Sequence, residues 1–177
     1  MRKATSYRDK KQLGATLVAK KIIGYQGILH LNIDMGSDSI KCKLISCMDD
    51  IIRDIKPTTI YCPWYGDLHQ DHRLISDACS SATRISNNFC IPRVFMYEVP
   101  SSTDQGFYKF ASPFVPNYYI ELSKRQVEVK CSAMHVYTTE AAPLRSESAI
   151  IDLARKRGRE CNKKYAEAFV CVRYIDE

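Results

Sequence analysis

The feature of this 177-residue chain that most restricts its possible folds is a regular alternation of helix-type and strand-type segments. Apolar residues recur at helical spacing at residues 8–25, 37–57, 71–85, 123–137 and 145–161. Between them lie short runs rich in β-branched and aromatic residues, at residues 26–34, 58–63, 93–99, 117–122 and 167–175. The alternation predicts an α/β fold, Rossmann-like, with a mainly parallel sheet flanked by helices. The length predicts a single domain over residues 1–177.

The composition limits the partners of such a domain. The net charge is +6, and 20 acidic residues are spread among the 26 basic ones, which is typical of a solvated surface. The densest basic run, residues 155–164, comes without the aromatic signature of RNA-binding modules. We interpret it as a solvated helix end and expect no nucleic acid partner. No apolar stretch approaches the roughly 20 residues that span a bilayer, so we expect no membrane span.

The cysteines indicate a reducing compartment. The chain has eight of them, without a Cys-x-x-Cys pair, and most stand where alanine, valine or leucine would also fit. We interpret them as reduced thiols of a protein in a reducing compartment, where disulfides are rare. The first residues lack the apolar segment of a secretory signal, so we expect a cytoplasmic protein.

A polar cluster follows the strand predicted at residues 58–63. Pro63 ends the apolar run, and His69-Gln70-Asp71-His72 stands at the start of the next predicted helix. Parallel sheets of α/β proteins bind ligands beyond the carboxyl ends of their strands, so chemistry is expected in this loop. Two interpretations of the pattern stay open: a polar turn in which Asp71 caps the helix, or part of a metal site built on imidazoles.

Several segments carry a family resemblance in their order along the chain. They are GDLHQDHRLISDA around the cluster, TSYRDKK near the start, VFMYEVPSST after residue 93, and LRSESAIIDLARKRGRECNKKYAEAF near the end. Together they resemble the conserved segments of the PIG-L/LmbE family of zinc-dependent N-deacetylases. The resemblance covers nearly the whole chain and rests on the ordered set rather than on any single motif.

The resemblance implies a role for each residue of the cluster. His72 would bind the metal, His69 would stabilise the oxyanion or protonate the leaving amine, and Asp71 would hold a histidine in its useful tautomer. These roles suit amide hydrolysis, because a metal polarises the carbonyl and generates hydroxide near neutral pH, while a donor at the oxyanion lowers the barrier further. The implied cofactor is zinc or another divalent metal.

One part of the family pattern does not occur in these residues. The family opens with Ala-His-Pro-Asp-Asp, which supplies two further metal ligands and a general base. We interpret His30 as a strand residue and His135 as a surface or packing residue, so neither replaces that motif. We expect a domain that lacks the family's first strand, first helix and second strand. Zinc binding and catalysis would then be impaired, unless a second copy or a complementing chain supplies the missing ligands.

Four further residues are candidate substrate contacts, and each has a structural alternative. Arg8 and Arg145 match arginines of the family and would bind sugar or phosphate oxygens, or else anchor the surface. Trp64, beside Tyr65, would stack on a sugar face or pack in the core. Asp67 would hydrogen-bond a substrate hydroxyl or orient the loop.

Two functions are consistent with these observations. The first is a metal-dependent hydrolase that removes N-acetyl groups from small-molecule conjugates of the N-acetylglucosamine type, as the resemblance implies. The second is a non-catalytic deacetylase-like domain that binds a glycan or a partner protein.

Overall fold

The computed structural model describes residues 7–31, 39–85, 90–105, 113–140 and 143–176, with the backbone alone at residues 7–10. Within these ranges the helices are α1 (Tyr7–Ile23), α2 (Ile40–Ile55), α3 (Gln70–Ala82), α4 (Lys124–His135) and α5 (Glu147–Glu160). The strands are β1 (Thr59–Pro63), β2 (Arg93–Tyr97), β3 (Tyr118–Glu121) and β4 (Ala166–Tyr174). The predicted α/β class is confirmed.

The strands form one sheet in the order β1-β2-β4-β3. β1 and β2 are parallel, with Tyr61 opposite Phe95, whereas β2 and β4 are antiparallel, with Tyr97 opposite Phe169. The sheet is therefore mixed, which differs from the mainly parallel sheet that alternation alone predicts. A functional site is expected beyond the parallel pair, because the carboxyl ends of β1 and β2 lie at the same edge of the sheet.

The chain divides into two compact units. The helical unit comprises residues 1–29 and 120–167, and the sheet unit comprises residues 30–119 and 168–177. The prediction of one domain over residues 1–177 stays a prediction. Each unit has its own apolar core, so each is described by itself.

The core of the helical unit lies between α4 and α5. Val127 and Cys131 of α4 pack with Ile150 and Ala154 of α5 and with Tyr165. Both helices start at a serine whose hydroxyl accepts a backbone N–H of the first turn, from Gln126 in α4 and from Ala149 in α5. Such caps satisfy N–H groups that have no partner within the helix, so the sequence sets where both helices begin.

Gly158 of α5 gives a stability prediction for this unit. A Cβ at this position would lie 2.7 Å from the carbonyl oxygen of Lys163 and 2.8 Å from the backbone nitrogen of Tyr165. We expect Gly158→Ala to lower the free energy of unfolding by roughly 1–3 kcal/mol, as overpacking does. The matched control is Gly14→Ala in α1, where a Cβ meets nothing within 4 Å. The control should raise stability by roughly 0.5–1 kcal/mol in urea titrations, and equal effects of the two substitutions would contradict the prediction.

The sheet unit packs α2 and α3 together and holds α3 against the sheet. Ile40 and Leu44 of α2 contact Ala78 of α3. Cys62 of β1 and Met96 of β2 form a second cluster against which the α3 thiol Cys79 packs. These contacts hold the second half of α3 against α2 and against β1 and β2, and the loop between β1 and α3 carries the candidate site.

One predicted strand does not form in the described residues. Residues 26–31 are irregular, with Leu29 64% exposed, and residues 32–38 lie outside the description. His30 is therefore an exposed residue of an irregular segment rather than a strand residue. The apolar pattern of this stretch matches a strand. A strand, however, also needs a neighbouring strand to pair with its backbone N–H and C=O groups, and residues 26–31 form no such ladder. Gly24, directly after α1, has a φ of +88°, the left-handed conformation that glycine commonly adopts at the end of a helix.

Two general expectations can be compared with the structure. All eight cysteines are free thiols. Across the part of the chain that the structure describes, no helix combines the length and hydropathy needed to cross a membrane.

Candidate functional site

The loop between β1 and α3 lies at the carboxyl end of β1, as predicted. The backbone N–H of Trp64 donates to the carbonyl of Tyr97 at 2.9 Å, which extends the pairing of β1 and β2 by one residue. The N–H of Asp67 then donates to the carbonyl of Trp64 at 3.2 Å and closes a turn. Three residues later α3 begins at Gln70. The predicted cluster thus spans the last loop residue and the first turn of a helix.

His69 is the N-cap of α3. Its Nδ1 atom accepts the backbone N–H of Asp71 at 3.2 Å, and the Asp71 carboxylate lies 3.9 Å from the same atom. An Nδ1 atom that accepts an N–H carries a lone pair, so a neutral His69 has its proton on Nε2. Just over half of the side chain is exposed, at 53%, so this Nε2–H group can reach a ligand. Asp71 therefore orients the His69 ring mainly through its backbone N–H group, which is closer to Nδ1 than its carboxylate is.

His72 lies in the first turn of α3 and stacks on His69. The two ring centroids are 4.7 Å apart, with 29° between the ring planes. Its Nδ1 atom lies 3.1 Å from Oδ1 of Asp67, within ion-pair distance. That Nδ1 atom is buried and its direction to the oxygen is not aligned for a hydrogen bond. The side chain as a whole is 25% exposed. The two imidazoles therefore share one surface patch, with a carboxylate beneath His72.

Asp67 is the buried centre of the cluster, and its side chain has no exposed surface. Oδ1 accepts the backbone N–H of His69 at 2.7 Å. Oδ2 accepts the hydroxyls of Ser102 at 2.9 Å and Thr103 at 2.6 Å. With His72 beside Oδ1, both carboxylate oxygens are occupied.

These contacts keep Asp67 ionised. Burial by itself would raise the pKa of its carboxyl, but the hydrogen bonds from Thr103, from the N–H of His69 and from Ser102, together with the attraction of His72, outweigh burial and lower the pKa below its usual value. A buried carboxylate with this many donors is a fixed negative charge behind the two imidazoles.

Ser102 and Thr103 belong to the loop after β2, and sequence reasoning missed them as part of the site. Thr103 Oγ1 also accepts the backbone N–H of Val99 at 2.8 Å, which fixes the turn of that loop. Their signal in the sequence is their place just beyond the strand that is parallel to β1. Loops that follow neighbouring parallel strands meet at one edge, so hydroxyls there are candidate partners for a carboxylate after β1.

The structure brings together only part of the predicted site. Trp64 is 6% exposed and packs against Tyr65 and Phe114, with ring centroids 4.1 and 5.5 Å away. Its core-packing alternative fits this geometry, and so does the loop-orienting alternative for Asp67, because neither side chain offers surface to a sugar. Arg145 pairs with Glu140 at 2.9 Å in the helical unit. Arg8 lies in α1, and its side chain lies outside the described residues.

His72 has the chemistry of a zinc ligand, but the described residues do not complete a zinc site. A carboxylate behind Nδ1 is the usual outer partner of a metal-binding histidine. A catalytic zinc ion needs three protein ligands, and no group of three His, Cys, Asp or Glu side chains in the described ranges is placed to hold a metal. Among the described residues, His72 is therefore suited to bind a zinc ion, but the three protein ligands of a catalytic zinc site are not brought together.

Comparison with solved structures identifies the fold. No protein-family model matches the chain. The N,N'-diacetylchitobiose deacetylase from Pyrococcus horikoshii is similar with a TM-score of 0.70 and 14% identity, over 98% of this chain and 68% of that one. A triple mutant of Orf2, a deacetylase of the teicoplanin biosynthetic pathway, has a TM-score of 0.70 and 16% identity, over 97% and 74%. The chain thus shares its fold with these two deacetylases.

The same fold also carries a different reaction. GalB from Pseudomonas putida KT2440, a 4-carboxy-2-hydroxymuconate hydratase, is similar with a TM-score of 0.66 and 17% identity, over 96% of this chain and 74% of that one. At such identities the fold is shared, and the activity has to be argued from the residues of the site.

Proposed function

We propose that this chain is a deacetylase-type domain of the PIG-L/LmbE kind that acts on the N-acetyl group of a sugar conjugate of the N-acetylglucosamine type. The observation that carries the proposal is the stacked pair of His69 and His72, backed by buried Asp67, at the carboxyl end of β1. The pair occurs in the fold of enzymes that remove acetyl groups, and it offers imidazoles where an amide substrate would need them.

The roles follow from the atoms that face outward. The Nε2–H group of His69 donates to the carbonyl oxygen of the acetamide and stabilises negative charge as it develops there. Asp71 keeps His69 in that tautomer through its N–H at the Nδ1 atom. His72 is the residue assigned to a divalent metal such as zinc, which would supply polarisation of the carbonyl. Since the described residues give fewer than three metal ligands, we propose that hydrolysis by the chain as given is impaired.

The sugar contacts are the part of the proposal that rests most on the resemblance. Arg8 and Arg145 remain the proposed substrate arginines, and exposed Tyr65 takes the stacking role first considered for Trp64. We propose a cytoplasmic location, consistent with eight free thiols. A second copy or a complementing chain is the proposed source of the missing ligands.

The competing function is a non-catalytic domain of the same fold that binds a glycan or a partner protein. The incomplete ligand set in the described residues favours it. Under this alternative the imidazoles bind an acetamide by hydrogen bonds, without turnover.

Zinc titration by calorimetry and amine release from diacetylchitobiose test the proposal together. For the 177-residue chain we expect weak zinc binding and slow amine release. His69→Ala should lower the rate by roughly 10²–10³-fold, the usual worth of an oxyanion donor. His72→Ala should abolish both release and zinc binding. The matched control is His135→Ala, which removes an exposed histidine at the end of α4 and should change neither.

Three outcomes decide between the functions. Slow release that depends on His72 supports the deacetylase. Saturable sugar binding that His69→Ala weakens, without any release, supports the binding domain. Tight, stoichiometric zinc binding with rapid turnover would refute the proposed impairment, and it would mean that residues outside the cluster complete the site.

A further inference from the structure

We propose that Asp67 is a positioning residue that holds His72 in the tautomer protonated at Nδ1, so that the lone pair of Nε2 is presented to the ligand. That this lone pair binds a metal ion rests on the proposed function, whereas the tautomer of His72 does not depend on it. The sequence gives Asp67 no such role, since the family pattern assigns the orienting carboxylate to Asp71.

The first argument is the environment of the His72 Nδ1 atom. It is buried, and an oxygen of Asp67 lies 3.1 Å away. If Nδ1 carried a lone pair, that lone pair would face an ionised carboxylate in a site with little water, which is repulsive. If Nδ1 carries the proton, the contact between its positive hydrogen and the carboxylate becomes attractive even without hydrogen-bond alignment. The geometry therefore favours the proton at Nδ1.

The second argument is that Asp67 cannot turn away. The hydroxyls of Ser102 and Thr103 hold Oδ2 at 2.9 and 2.6 Å, and the N–H of His69 holds Oδ1 at 2.7 Å. All three donors are on the protein, so the carboxylate is oriented before any ligand arrives. A side chain fixed by three hydrogen bonds keeps its charge in one place, and the Nδ1 atom of His72 lies 3.1 Å from its Oδ1 atom.

The third argument is the contrast with His69. Its Nδ1 atom accepts the backbone N–H of Asp71 and so stays unprotonated in the neutral ring. The two stacked imidazoles therefore have opposite tautomers. His69 presents a donor at Nε2 and His72 presents an acceptor, with ring centroids 4.7 Å apart. The donor on His69 suits the carbonyl oxygen of an amide, and the lone pair on His72 suits an electrophilic metal ion.

Long-range ¹H–¹⁵N NMR of the imidazoles, on the whole chain without metal or substrate, tests the tautomer directly. In the wild type, above the pH at which the ring takes a second proton, we expect His72 protonated at Nδ1 and His69 at Nε2. Asp67→Asn keeps the shape of the side chain, removes its charge and replaces one accepting oxygen by an NH₂ donor. It should move the His72 tautomer ratio toward Nε2–H by roughly tenfold, the worth of a hydrogen bond to a charged group. His72→Gln assigns the signals.

Two matched variants separate positioning from general loosening. Asp71→Asn changes the neighbouring carboxylate and should leave the His72 tautomer unchanged. Thr103→Val removes one donor to Oδ2 and should shift the His72 ratio in the same direction as Asp67→Asn, by less. A structural role alone would not produce this order.

The proposal is overturned if wild-type His72 is protonated at Nε2, or if Asp67→Asn leaves its tautomer ratio as it was. Should Asp67→Asn fail to fold, the wild-type spectrum and Thr103→Val still decide. The two proposals can fail separately. The expected tautomer in a chain that never releases amine would refute the deacetylase and leave the positioning role standing.

Discussion

Replacing Asp67 by alanine is expected to lower the free energy of unfolding by roughly 3–5 kcal/mol, as the loss of one partner from a buried charged network does. Three donors lose their acceptor at once, the hydroxyls of Ser102 and Thr103 and the N–H of His69, and the ring of His72 loses the carboxylate beside it. Buried donors without acceptors are costly, and the alanine leaves no side chain that could replace the carboxylate.

The control for Asp67→Ala is Asp77→Ala in the same unit. Asp77 lies on α3 and pairs with Lys41 at 3.0 Å, with both side chains about half exposed. Exposed pairs contribute roughly 0–1 kcal/mol, so this substitution should be nearly neutral. Urea titration of both variants measures the difference. Similar losses for the two aspartates would show that the Asp67 network is not what stabilises the loop.

Acid should remove the contribution of the Asp67 charge. Its folded-state pKa is lowered, so the unfolded chain binds a proton first as the pH falls. The stabilisation is therefore present above the unfolded pKa, about 3.9, and is lost as the pH falls through the lower folded value. The difference in unfolding free energy between wild type and Asp67→Asn should be at its full size near neutral pH and should narrow as the pH falls below about 4. A gap that stays constant to pH 2 would contradict this assignment.

Several charged or titratable groups face this carboxyl and belong in that comparison. His69 and His72 lie on the α3 side, Tyr97 lies at the end of β2, and the Arg73 guanidinium donates to the backbone carbonyl of Asp67 itself at 2.7 Å. The asparagine variant keeps all of these groups but replaces one accepting oxygen by an NH₂ donor, so only the pH-dependent part of the difference between the two titrations reports the Asp67 charge.

Phe95→Ala is the second substitution with a large expected effect, a loss of roughly 3–5 kcal/mol in unfolding free energy. Phe95 is 2% exposed. Its ring stacks on Tyr61 at 5.3 Å and contacts Tyr118 at 4.7 Å and Phe169 at 6.1 Å. Truncation opens a cavity among three aromatic rings, one from each of the other three strands of the sheet, and aromatic pairs lose additional energy beyond buried area.

Two controls define the cause of the Phe95 effect. Phe95→Leu fills most of the volume and should cost less than half as much. Val172→Ala changes β4 at a residue that is 55% exposed and should stay within roughly 0.5 kcal/mol of the wild type. Thermal and urea denaturation give the order. If Phe95→Ala were as mild as Val172→Ala, the aromatic cluster would not be part of the core.

Local sequence signals predicted most of the helices and strands. Helix α4 begins after Ser123, whose hydroxyl and N–H both pair with Gln126, and this capping box is visible in the sequence. β1 and β2 are short β-branched or aromatic runs with turn residues beyond them. Residues 26–31 carry a similar apolar pattern without forming a strand, because pairing depends on a partner that local sequence does not reveal.

The position of the candidate site could be predicted from the sequence, but the contacts between its side chains could be predicted only in part. Its place at the end of β1 follows from α/β topology, and the stacking of His69 on His72 follows from their spacing across a helix start. The partner of His72 did not follow, because the adjacent Asp71 is nearer in sequence than Asp67, which lies five residues before His72. Ser102 and Thr103, which hold Asp67, lie 35 and 36 residues further along the chain, beyond the reach of any local pattern.

The capping of α3 by an imidazole ties the start of a helix to an acid–base event. His69 Nδ1 accepts the Asp71 amide hydrogen only while that nitrogen is unprotonated. Protonation frees the amide to exchange with solvent, so hydrogen–deuterium exchange at Asp71 becomes a local reporter of the charge on His69. A ligand that accepts a hydrogen bond from Nε2 leaves the cap in place and the amide protected. A ligand that drives a proton onto Nδ1 removes this hydrogen bond from the first turn, the turn that also carries His72.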